Sequence, residues 1–142
     1  MKRVSLILVT LSFVLLSGCV PMENDVQLAR RIFNGLCDGK QTVENLIDWQ
    51  RFTAIGADIG KSYSQLRTEK DRRDYKKAFF YNFSASFKSA GGMSSQFSNW
   101  RIKSQDSANT VVAADTAGQN KVILFTISRV GSQRKLTAIS WE

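Results

Sequence analysis

Histidine is absent from this chain, and its absence removes much of the usual catalytic chemistry. There is no imidazole general base, no Ser-His or Cys-His pair and no histidine metal ligand. Cysteine occurs only at positions 19 and 37, too few for a thiolate metal centre. Proline occurs once, at Pro21. The longest apolar run, Val4 to Leu16, is about 13 residues, short of the ~20 that span a bilayer as a helix. No internal repeat, low-complexity tract or nucleic-acid-binding motif is found, so nucleic acid is not an expected partner. Acidic residues number 12 against 20 basic ones. The net charge of +8 suits either a soluble basic surface or attraction to a polyanion such as anionic lipid headgroups.

What is present starts at the N-terminus. Met1-Lys2-Arg3 is a basic start, the apolar run follows it, and Leu16-Ser17-Gly18-Cys19 comes directly after. This order is that of a secretory leader. The last four residues resemble the lipobox of bacterial lipoproteins. The resemblance implies that residues 1–18 are a signal peptide, that cleavage precedes Cys19, and that the thiol and new amino group of Cys19 carry acyl chains. An uncleaved anchor, or an ordinary signal peptide with a coincidental cysteine, is the alternative. Several acyl chains on one residue make detachment very slow, since each buried CH₂ contributes about 0.8 kcal/mol. Val20 stands where an aspartate tends to retain enteric lipoproteins on the inner membrane. The resemblance therefore implies a place in the cell envelope, lipid-anchored to the outer membrane and facing the periplasm. With Cys19 lipidated, Cys37 has no intramolecular partner. It reads as a small buried apolar residue on a helix, with intermolecular pairing as the alternative.

After a tether over residues 19–24, residues 25–142 are long enough for one domain. Asp25 is an expected N-cap, Ala29, Ile32, Phe33, Leu36 and Cys37 recur at helical spacing, and Gly39 is the stop. Thr42 is an expected cap for a second short helix carrying Val43, Leu46 and Ile47. Trp49, Phe52, Ile55, Ile59, Tyr63 and Leu66 step by threes and fours, which reads as helix interrupted at Gly56 and Gly60, where a break or a close backbone contact is expected. Thr68-Glu69-Lys70-Asp71 resembles a capping box, and an amphipathic helix to about Ala90 is expected after it. Tyr75, Phe79, Phe80, Phe83 and Phe87 form its apolar stripe, with Lys70, Asp74, Lys77, Ser84 and Lys88 opposite and a Glu69–Arg73 pair on the solvated face.

Beyond Gly91-Gly92 the period becomes two. Trp100 to Lys103, Thr110 to Ala114, Val122 to Ser128 and Leu136 to Trp141 predict about four strands of an antiparallel meander. Ile123, Phe125 and Ile127 share a face. Helices followed by strands predict an α+β domain with the aromatic helix laid across a curved sheet, as in cystatin-like and NTF2-like folds. Such a cone is either filled or leaves a ligand pocket. A pocket would be lined by Phe79, Phe83, Phe87, Ile123, Phe125 and Ile127.

Ile47-Asp48-Trp49-Gln50-Arg51-Phe52, Gly56, Ile59-Gly60-Lys61-Ser62-Tyr63 and the charged lead-in to Phe79-Phe80 and Phe83 resemble the periplasmic phospholipid-binding component of the Mla (toluene-tolerance) transport system. The likeness covers about 40 residues. This chain is shorter than that family usually is, and it carries a lipobox that the classical soluble members lack. The resemblance implies a lipid-tail pocket between the aromatic helix and the sheet.

Few residues suggest catalysis. Asp48 reads as a helix cap and Asp58 as a solvated charge. Residues 56–60 lack the ending of a phosphate loop. The expected function is a non-enzymatic binding domain without cofactor or metal, for an apolar or lipid ligand. The alternative is a structural lipoprotein with a filled core that binds a partner protein.

Overall fold

A computed structural model describes residues 22–142. The leader, Cys19 and the start of the tether lie outside the described residues. The domain is α+β, with helices on one side of a six-stranded mixed sheet.

The first helix, α1, spans Asp25–Asp38. Its cap is Asn24, not Asp25: the Asn24 side chain accepts from Gln27 N–H at 2.8 Å, and Gln27 returns a bond to the Asn24 N–H. Asp25 is drawn away by Arg134 and Thr110. Leu28, Ala29, Ile32, Phe33, Leu36 and Cys37 are all buried. A 3₁₀ helix over Gln41–Leu46 follows, without a side-chain cap from Thr42. The chain then turns back to the sheet, where the Asp48 N–H donates to the Leu136 carbonyl.

The stretch read as helix from Asp48 to Leu66 is mostly something else. Strands β1 (Thr53–Ala54) and β2 (Ala57–Asp58) form a tight hairpin, and α2 (Ile59–Ser64) is short. Ile55 and Gly56 form the hairpin turn, with φ of +49° and +82°. Two left-handed residues give the turn whose twist suits a hairpin. Spacing of three and four misleads here because Trp49 and Phe52 are buried by a turn, while Ile55 projects outward. Gly60 explains itself by contact: a Cβ there would lie 2.4 Å from the Gln50 carbonyl oxygen.

Helix α3 spans Glu69–Ser89. Thr68 caps it by accepting from the Asp71 N–H at 3.0 Å, but Asp71 answers the Thr68 hydroxyl, so the box is not closed through the backbone. Its ion pairs are Arg72–Glu69 and Lys70–Asp74, in place of the expected Glu69–Arg73.

Four long strands complete the chain: β3 (Phe97–Gln105), β4 (Asn109–Thr116), β5 (Val122–Val130) and β6 (Gln133–Trp141). They form the expected antiparallel meander. The full sheet is larger, in the order β2-β1-β6-β5-β4-β3, because the hairpin adds two strands and β1 runs parallel to β6. Register shifts in β3–β4 and β5–β6 bend it.

The helix across the sheet is α1, not α3. The Phe33 ring lies 4.7 Å from Phe97 and 5.1 Å from Phe125, and Trp100 stacks on Phe125 at 5.2 Å. Helix α3 packs on α1 instead. Its two buried residues are Phe80 and Ser84. Ser84, expected on the solvated side, donates to the Cys37 carbonyl at 2.8 Å.

Candidate functional site

The apolar stripe of α3 divides by depth. Phe80 enters the core, whereas Tyr75, Phe79, Phe83 and Phe87 are half-buried. These four recur every fourth residue and so form one row along the helix. The row faces the β1–β2 hairpin across an open groove of about 510 Å³. Ala54, Ile55, Ala57 and Ile59 make the opposite wall, and the exposed Ala78, Asn82 and Ser86 lie along the lip. Phe79 is held by edge-to-face contacts with Trp49 at 5.5 Å and Phe52 at 5.6 Å, and the Phe87 ring lies 6.2 Å from Phe97. Its back wall is therefore the outer layer of the aromatic core.

Of the six residues expected to line a pocket, three line this groove: Phe79, Phe83 and Phe87. Ile123, Phe125 and Ile127 do not. They are buried in the core on the sheet face that α1 covers. The physical reason is competition for that face: α1 is the more uniformly apolar helix and fills it with Phe33. Cys19 lies outside the described residues.

The hairpin wall was not anticipated. Ile55-Gly56 is the only local signal for it, and helical spacing on either side hid that signal. Near the Tyr75 end, cations sit over rings: Arg72 lies 5.8 Å and Lys76 lies 5.9 Å from the Tyr63 centroid, with Tyr75 6.1 Å from Tyr63.

The groove is chemically plain. Among the described residues Tyr75 is its only titratable lining group, and no described carboxylate, amine or thiol opens into it. Asp48 is engaged by Arg51 at 2.6 Å, and Asp58 caps α2 through the Lys61 N–H at 2.9 Å. Asp58 thus takes the capping role expected of Asp48. Cys37 is free and buried, and burial, with the charge of Asp38 beside it, pushes its thiol up to about 12. Among the described residues no group of three carboxylates or thiols could hold a metal ion. No described helix is long and apolar enough to cross a membrane. The arrangement can bind apolar matter by burial and shape.

No protein-family model, curated protein or solved structure matches this chain.

Proposed function

We propose that the protein is a non-enzymatic envelope lipoprotein, anchored through acyl chains on Cys19, whose domain holds an apolar or lipid ligand in the groove between α3 and the β1–β2 hairpin. The observation that carries the binding half is the groove itself: about 510 Å³, within the range of ligand sites and walled by aromatic and aliphatic side chains. The anchoring half rests on the Leu16-Ser17-Gly18-Cys19 motif and the short apolar run before it. The outer membrane, facing the periplasm, is the proposed location. Helix α1 laid over β3–β6 supports a cystatin- or NTF2-like assignment, and an apolar groove beside Phe79 and Phe83 supports the likeness to the Mla phospholipid-binding component.

A second reading has its own support. The space between helix and sheet is filled, since Ile123, Phe125 and Ile127 are buried under α1. The groove is therefore open to the surface, and Ile55 stands 48% exposed at its edge. An apolar segment of a partner protein would also fit such a surface, and the lipoprotein would then serve as an accessory subunit.

Native mass spectrometry of the Cys19→Ser protein, incubated with palmitate or phospholipid, tests the ligand. Binding that is lost in Phe83→Gln is expected for the first reading. A ligand-free protein at every lipid concentration overturns it in favour of the second. Palmitate labelling of cells tests the anchor: label must disappear in Cys19→Ser.

A further inference from the structure

The chain enters the described structure at Met22, and the entry point is fixed in the fold. Arg134, the second residue of β6, donates to the Asp25 carboxylate at 2.5 Å and to the Glu23 backbone carbonyl. Thr110, near the start of β4, donates to the same carboxylate at 2.7 Å. Entry is thus at the end of the sheet that carries the β3–β4 and β5–β6 turns.

The groove occupies the other end. Its Ala54 pairs with Ile139, five residues beyond Arg134, or about 17 Å along the strand. Phe87 meets Phe97, which pairs with Thr116 at the far end of β4 from Thr110. Three residue steps separate Cys19 from Met22, so the chain between them reaches at most about 10 Å. If Cys19 is acylated, the reading on which this inference rests, a bilayer lies within that reach of the entry end.

We propose that the entry end is a docking surface for anionic lipid headgroups, formed by Arg129, Lys135 and the β5–β6 turn beside Met22. Docking there holds the groove at the pole of the domain away from the anchoring membrane. Charge supports it. Arg134 is committed to Asp25, and Arg31 pairs with Glu23 at 2.5 Å. Asp106, the other carboxylate at this end, accepts the N–H groups of Ala108 and Asn109 at 2.7 Å each. Arg129 stands opposite Arg134 and Lys135 opposite Ser128 in the β5–β6 register. Neither Arg129 nor Lys135 makes an ion pair among the described residues; Asp106, which borders the same depression as Arg129 and Met22, keeps its own charge, so the four cations named at this end exceed the three carboxylates by one. Met22 adds a large apolar side chain, 89% exposed, at the same place. Basic groups within a screening length of an anionic surface are drawn to it, Arg129 and Lys135 flanking the end of the sheet from its two faces, and the apolar side chain beside Arg129 enters the headgroup layer.

A groove at the distal pole exchanges its occupant with the aqueous side, not with the membrane that holds the protein.

The test uses the acylated full-length protein in vesicles of phosphatidylethanolamine and phosphatidylglycerol, in a Cys37→Ala background. A nitroxide is placed through Ser132→Cys in the β5–β6 turn or Gln119→Cys in the β4–β5 turn. Relaxation by a headgroup-bound nickel chelate is expected to be several-fold stronger at 132 than at 119, and to fall in Arg129→Glu/Lys135→Glu. Equal relaxation at both sites, stronger relaxation at 119, or no response to the charge reversal overturns the proposal. Intact mass of the extracted protein reports acylation separately. An acylated protein with equal relaxation sinks only the docking surface, whereas an unacylated one sinks the anchor and the docking surface together.

Discussion

Cys37 shows how one residue's surroundings set its chemistry. It lies in the last turn of α1, buried, with its backbone carbonyl accepting from Ser84. Burial raises the thiol from its ordinary 9.0 to about 12. The unfolded chain therefore releases this proton first. Cys37 contributes stability that is fully present below pH 9 and is lost as pH rises toward 12. Denaturation curves of the protein and of Cys37→Ala should diverge in slope within that window and run parallel below it. A thiol reagent at pH 8 should label Cys37 only as fast as the domain opens. Ile55 is the opposite case, an exposed β-branched residue at φ +49°. That conformation is costly for β-branched side chains and tolerated by asparagine. Ile55→Asn is expected to raise stability by about 1 kcal/mol while weakening any apolar ligand in the groove. Thermal melts and a lipid-binding titration check the two halves.

At the scale of elements, length and attachment part company. Helix α3 has 21 residues and two buried ones, while α1 has 14 residues and seven buried. Propensity and ion pairs such as Lys70–Asp74 contribute little at an exposed surface, so packing decides which helix is held. Amide hydrogens along the outer face of α3 should exchange well before those of α1 in hydrogen–deuterium exchange. A helix held on one side by Phe80 and Ser84 and lined on another by the groove is placed to respond to whatever fills it. Added ligand should slow exchange around Phe79–Phe87 more than anywhere in the sheet.

For the whole molecule, Phe33 ties the layers together. Its ring meets Phe87 of α3 at 5.9 Å, Phe97 and Trp100 of β3 at 4.7 and 6.1 Å, and Phe125 of β5 at 5.1 Å. Phe33→Ala is expected to cost about 3–5 kcal/mol, a large share of the stability of a domain this size. Tryptophan fluorescence and far-UV circular dichroism should then be lost together at a much lower denaturant concentration. The entry of the chain beside Arg134 and the groove near Ile139 lie at opposite ends of the same strand. That separation gives the molecule a polarity no single element has.

Local physics made several features legible in the sequence. The alternation of Trp100 to Lys103 and the β-prone runs at Thr110, Val122 and Leu136 marked β3, β4, β5 and β6, because these preferences act within a few positions. The apolar spacing of Ala29 to Cys37 marked α1 for the same reason. The helical spacing of Trp49 to Leu66 held only for Ile59–Ser64; before it a turn buries Trp49 and Phe52 at the spacing a helix would use. The groove needed the tertiary structure. The sequence reading laid the aromatic helix α3 on the sheet face, yet α1 is amphipathic as well and carries Phe33. Only their competition for one face, won by α1 through Phe33, pushed α3 outward and opened a groove against a hairpin that comes from another part of the chain.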